Sequence, residues 1–149
     1  MRLTTKEMRV IVCGGRHSRE HKLVWKYLDQ LLDAIPNLTI IQGGARGVDK
    51  FARDWCMKRG VDFINYPYPA GYGCRAGGPI RNKQMIVDGK PDFVLAFPGG
   101  RGTRNMVRQA REHWLKVVEI DKDGIKEPHL TLGLIEVPDE EQYGYLGDC

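Results

Sequence analysis

Apolar residues along the chain alternate between two spacings. Short unbroken runs at 9–13, 38–42, 61–66, 93–97 and 116–120 read as buried strands. Between them the apolar positions recur every three or four residues, as on one face of a helix. Val24, Leu28, Leu31, Leu32 and Ile35 form such a stripe over 19–34, with Ser18 as the expected N-cap and Pro36 as the stop. Val48, Phe51, Ala52 and Trp55 form another over 48–59, ended by Gly60. Residues 67–78, rich in Tyr, Pro and Gly, predict an irregular connection. Pro79 then suits the first turn of a third helix reaching about residue 87. Thr103 is the expected cap of a fourth helix, with Val107 and Ala110 facing inward. Five apolar strands alternating with helices predict an α/β, Rossmann-like, doubly wound parallel sheet with helices on both faces. Residues 129–137 add an expected C-terminal edge strand after the turn signal Asp121-Lys122-Asp123-Gly124. The expected organisation is one domain over 1–120 and an acidic extension over 121–149, packed on it or trailing from it.

Charge sharpens that division. Residues 1–120 hold 21 Lys and Arg against 11 Asp and Glu, whereas residues 121–149 hold 2 against 8. The basic part predicts an anionic partner, and the acidic tail argues against a plain nucleic-acid-binding arm. Four widely spaced cysteines (Cys13, Cys56, Cys74, Cys149) contain no C-x-x-C pair and fit reduced thiols, with Cys13 and Cys56 in the core. No apolar run approaches the roughly 20 residues of a membrane span, and the N-terminus lacks the apolar core of a signal peptide. A cytoplasmic protein without membrane contact is the expectation, with homo-oligomerisation left open.

The unusual loops follow the strands at their carboxyl ends, where ligands bind in open α/β sheets. They are Gly14-Gly15-Arg16, then Gly43-Gly44-Ala45-Arg46-Gly47-Val48-Asp49, then Pro98-Gly99-Gly100-Arg101-Gly102-Thr103. Glycine lets backbone N–H groups approach an anion closely, and each loop adds an arginine suited to forked phosphate contacts. One such turn is more often structural than functional; three at one sheet end predict a phosphate site. Neither a Walker A loop nor a G-x-G-x-x-G after the first strand is present, so ordinary nucleoside-triphosphate and NAD cofactor sites are not expected. No cofactor and no metal site is predicted, since His17, His21, His113 and His129 do not cluster.

Single residues leave more room. Three roles fit Asp49: a ribose hydroxyl acceptor, a base, or a simple partner for N–H groups at a helix start, the last being the plainest. Glu20 reads as a solvated helix-start residue. Tyr66, Tyr68 and Tyr72 suit base stacking or a rigid surface loop equally well. Trp25 and Trp114 are expected to pack.

These motifs resemble a family. Pro98-Gly99-Gly100-Arg101-Gly102-Thr103 resembles the P-G-G-x-G-T signature of the "lonely guy" phosphoribohydrolases, which belong to the Rossmann-like SLOG superfamily. Arg81-x-x-x-Met85 followed by Asp92-Phe93-Val94-Leu95-Ala96-Phe97 is similar to further segments of those enzymes. Gly43-x-Ala45-Arg46-Gly47-Val48-Asp49 resembles the loop of the DprA/Smf branch. The whole, with Gly77-Gly78-Pro79-Ile80-Arg81-Asn82, most resembles the YspA/YpsA-related SLOG branch. The resemblance implies binding of nucleotides or their derivatives, ADP-ribose-type signals among them, with Arg81 and Asn82 in the site. The hydrolases continue their signature to a glutamate that does acid–base work, and here that position is Met106, which transfers no proton. Three functions follow in order: nucleotide binding or sensing, hydrolysis of an N-glycosidic or related bond with Asp49 standing in for the glutamate, and single-stranded DNA binding.

Overall fold

The chain's computed structural model describes residues 6–126; the acidic residues beyond, His129 and the expected strand at 129–137 lie outside them. Strands β1 (Met8–Cys13), β2 (Leu38–Gln42), β3 (Asp62–Asn65), β4 (Phe93–Ala96), β5 (Lys116–Asp121) and β6 (Gly124–Ile125) alternate with helices α1 (His21–Ala34), α2 (Val48–Arg59), α3 (Cys74–Val87) and α4 (Arg101–Glu112). The sheet order is β3-β2-β1-β4-β5-β6, parallel through β5. β6 is a short antiparallel return of β5, made by the turn at Lys122 and Asp123. Winding outward from β1 in both directions places the change of direction between β1 and β4, which opens a crevice at their carboxyl ends.

The two-residue period of the strands sorts the core. Val10 and Val12 point to the layer of α1 and α2, together with Ile40, Leu95, Val118 and Ile120. Ile11 and Cys13 point to the layer of α3 and α4, together with Ile41, Val94, Ala96 and Val117. From above, Val24, Leu28 and Leu31 of α1 and Ala52 and Trp55 of α2 close the first layer. Met85 and Ile86 of α3 and Met106, Val107 and Ala110 of α4 close the second. Leu28, Leu31, Ile40 and Leu95 have no solvent contact, and each such burial is worth about 1.5–3 kcal/mol. On the same side of the sheet, Trp55 Nε1 and the Arg59 guanidinium both donate to Asp29, pinning α2 to α1.

Several boundaries differ from the expectation, each for a local reason. α1 starts two residues late, with Glu20 at its N-cap, because Ser18 Oγ accepts the Glu20 N–H (3.1 Å) in the loop before the helix. α4 starts at Arg101 with Gly100 at the N-cap, so Thr103 lies inside the first turn, its side chain against Gly99. α3 starts at Cys74, inside the stretch expected to be irregular, and carries Pro79 in its interior. A proline there removes one backbone hydrogen bond, and tertiary packing of Arg81, Asn82 and Met85 overrides that local penalty. Trp114 is 72% exposed, on a backbone with φ of +59°, so it does not pack as expected. Trp25 does, with its Nε1 donating to Phe51 O.

Gly47, which precedes α2, has φ of +71° and ψ of −128°, and a Cβ on it would overlap the carbonyl oxygen of Gly15. Gly60, which ends α2, also has positive φ but faces open space. Gly60→Ala should therefore cost about 1 kcal/mol from backbone strain alone. Gly47→Ala should cost at least about 3 kcal/mol, because a neighbouring backbone must also move. Urea unfolding of the two variants checks this, and equal losses would mean that the loops at Gly15 and Gly47 are not in contact.

Candidate functional site

The three glycine loops meet through one residue. Gly15 N–H donates to Pro98 O (2.8 Å) in the loop after β4, while Gly15 O accepts the N–H of Val48 (3.2 Å) at the start of α2. Gly15 O also accepts the Ser18 N–H (3.3 Å). The loops after β1, β2 and β4 are thus held together at the switch point of the sheet. Beyond them lies a cavity of about 650 Å³.

Its walls come from every part of the chain that the sequence singled out. Gly14, Arg16 and His17 line it from the loop after β1, and Gly43, Ala45 and Asp49 from the loop after β2. Gly100, Arg101, Gly102 and Thr103 line it from the start of α4. The roof is α3, with Arg75, Gly78, Pro79, Arg81, Asn82 and Met85. Gly15, Gly44, Gly47, Pro98 and Gly99 do not line the cavity and shape the loops behind it. Arg46 is exposed and does not line the cavity. Pattern alone did not identify Arg75, Asn105 or Arg108, all lining residues. Arg75 and Arg108 lie outside the motifs, and Asn105 occupies an unspecified position between Thr103 and Met106. Tyr68 lines the cavity, whereas Tyr72 is on the surface and Tyr66 packs against the lower core. Glu20 is an exposed N-cap.

Arg81 is the buried cation of the site. It donates from Nη1 to Gly43 O (2.8 Å), and its guanidinium lies over the Tyr68 ring, 4.5 Å from the centroid. Only a glycine at 43 admits this, since a Cβ would overlap the guanidinium. Tyr68 in turn accepts a hydrogen bond on its hydroxyl from Arg16 Nη2 (2.6 Å). One aromatic ring therefore spaces two arginines at the cavity wall.

Asp49 is buried, and its Oδ2 accepts the Ala45 N–H (3.2 Å). Burial raises its pKa above the ordinary 3.8, while the Ala45 and Gly43 N–H groups and the charges of Arg81 and Arg16 oppose the rise. Cys13 reaches the cavity too, but burial, with Asp49 and Glu119 nearby, pushes its thiol pKa far up and denies it nucleophilic character at neutral pH. Cys56 lies in the core away from the cavity, its thiol pushed up to about 12 chiefly by burial. Met106 lines the cavity and is otherwise enclosed, presenting an apolar thioether there.

This sheet order and this basic crevice define a Rossmann-like α/β domain whose cleft lies at the topological switch point. The chain belongs to the YspA, cpYpsA-related SLOG family, whose pattern its residues 8–68 match. It is similar to the Gene 61 protein of Mycobacterium phage D29, at 32% identity over 118 residues covering 74% of this chain and 94% of the phage protein. Its fold is similar to that of DNA processing protein A (DprA) from Streptococcus pneumoniae, with a TM-score of 0.64 and 22% identity over 76% of this chain. The match covers 50% of the DprA chain. Among the described residues no helix is long and apolar enough to cross a membrane.

A buried carboxyl with a raised pKa makes a signed prediction. The folded state holds the Asp49 proton more tightly than the unfolded state, so stability falls as pH rises from 3.8 through the folded pKa. Asp49→Asn still accepts the Ala45 N–H without a charge to bury. It should melt higher than the parent at pH 7–8 and lose that advantage towards pH 4. Melting curves across this range check it; a pH-independent difference would refute the shift.

Proposed function

We propose that the cleft binds a phosphate-bearing nucleotide or nucleotide-derived ligand, ADP-ribose-type molecules included, and that the protein captures this ligand without cleaving it. The observation that carries this is the composition of the cavity wall: five arginines, Arg16, Arg75, Arg81, Arg101 and Arg108, against one carboxylate, Asp49. So many cations around one small cleft repel each other until an anion enters, and arginine's planar fork suits phosphate oxygens. The start of α4, with Gly100 and Gly102 open to the cavity, adds backbone N–H groups and a favourable helix dipole. Met106 in the lining supports capture over hydrolysis.

Asp49 keeps a second reading, hydrolysis, in view, because a lining carboxyl with raised pKa is the kind of group an acid–base catalyst uses. Its hydrogen bond to Ala45 N–H instead favours a role at the start of α2. Single-stranded DNA binding needs successive stacking aromatics along a groove, and Tyr68 is the only Phe, Tyr or Trp among the cavity-lining residues described.

Calorimetry with AMP, ADP, ATP and ADP-ribose tests the proposal. At least one should bind, and Arg16→Ala and Arg101→Ala should each weaken it by about 1.5–3 kcal/mol, as charged hydrogen bonds do. Arg46→Ala should change affinity by less than about 0.5 kcal/mol. Failure of all four compounds to bind at millimolar concentration would end the proposal. Prolonged incubation of AMP and ADP-ribose with the protein should release no free base or ribose phosphate. Turnover that Asp49→Asn abolishes would instead establish an enzyme.

A further inference from the structure

Below α3, Asn82 and Asn105 of the cavity wall form, together with Gln109, a chain of three side-chain amides whose orientations are forced. Gln109 Nε2 donates to the backbone oxygen of Pro79 (3.0 Å) and to Asn105 Oδ1 (2.7 Å). Asn82 Nδ2 donates to the backbone oxygen of Gly102 (3.2 Å) and to the same Asn105 Oδ1 (3.1 Å). A backbone carbonyl only accepts, so Gln109 and Asn82 must each turn their NH₂ group towards it. Each amide's second N–H then meets Asn105, which must answer with its oxygen. Reversing Asn105 would set NH₂ against two NH₂ groups and leave a buried donor of Asn82 unpaired.

Asn105 is consequently left with its own NH₂ group facing away from the chain. That nitrogen has no partner among the described residues, although the residue is only 7% exposed. It is not sealed off, and the cavity is the opening that Asn105 lines. The neighbouring charged groups of the same wall, Arg75, Arg81, Arg101 and Arg108, are donors as well. Asp49, the cavity's one carboxylate, lies on the wall made by α2.

We propose that Asn105 is a specificity-determining residue of the cleft: its amide, locked as a donor, reads an acceptor oxygen of the ligand. The proposal rests on the nucleotide-binding reading and adds an orientation to it. The acceptor-rich, phosphate-bearing end lies against α3 and α4, and the hydroxyl-bearing end lies towards Asp49. A ligand presenting a donor at Asn105 meets N–H against N–H and is rejected.

Asn105→Asp tests this role. A carboxylate oxygen still accepts both bonds from Asn82 and Gln109, so the chain of amides survives, while the atom facing the cavity changes from donor to acceptor and gains a negative charge. The control is Arg104→Gln, the same change in charge one residue away, on an exposed side chain that does not line the cavity. With ADP as probe, Asn105→Asp should bind at least about tenfold more weakly than the parent, and Arg104→Gln within about threefold. In ¹⁵N-labelled parent protein, the Asn105 side-chain NH₂ resonances should move on ADP titration, a reading that needs no variant. Parental affinity in Asn105→Asp, equal losses in both variants, or unmoved Asn105 resonances in an ADP-saturated sample would each overturn the proposal. A parent protein that binds none of AMP, ADP, ATP and ADP-ribose would overturn the nucleotide reading itself and the proposal with it.

Discussion

The backbone N–H and C=O of Gly15 are the joint on which the site depends. A parallel sheet delivers β1, β2 and β4 side by side, but their following loops would otherwise splay towards separate helices. Gly15 donates into one neighbouring loop and accepts from the other, so the three strand ends become a single surface. Everything in the cleft is placed relative to that surface. Gly43 is held where Arg81 can reach its carbonyl, and α4 begins where Gly100 and Gly102 border the cavity. Backbone hydrogen bonds suit this task better than side chains, since they bring the loops closer than any side-chain bridge allows.

Much of the architecture was legible because punctuation and period agreed. β2 and α2 have the boundaries that Gly43-Gly44 and Gly60 predict, and the convergence of the glycine loops follows from strands being parallel. α3 was legible only in its second half. Gly77, Gly78 and Pro79 are locally poor helix residues, and the contacts that make them helical come from residues far along the chain, such as Gln109 donating to Pro79 O. Arg46 belongs to the same glycine loop as Gly43 and Asp49, yet it is exposed and does not line the cavity. The pairing of Tyr68 with Arg16 and Arg81, and the amides of Asn82, Asn105 and Gln109, join residues with no common spacing. Single-chain periodicity carries no signal for such contacts.

The site keeps its cations ordered by giving each wall a partner inside the protein. Arg81 is fixed by a carbonyl and an aromatic face, and Arg16 by a phenol oxygen. Neither partner is an anion, so their positive charges are held in position without being neutralised. An ion pair at either position would have stabilised the free cleft at the expense of its attraction for an outside anion. Asp49 is the carboxylate nearest to both, and its own burial weakens its claim to a charge; of the other lining arginines, Arg108 pairs with Glu112 at 3.6 Å.

The central place of β1 also has a cost in time. Its Arg9 N–H donates to Asp92, 83 residues further along the chain, just where β1 receives β4. During synthesis at roughly 5–20 residues per second, β1 waits about 4–17 seconds for that neighbour. In that interval β1, β2 and β3 can pair with one another, while one edge of the central, largely buried β1 stays open to other chains. The nascent protein is then most exposed to aggregation when it is half made, and a chaperone that shields an open strand edge on the ribosome would matter most before Phe93 emerges.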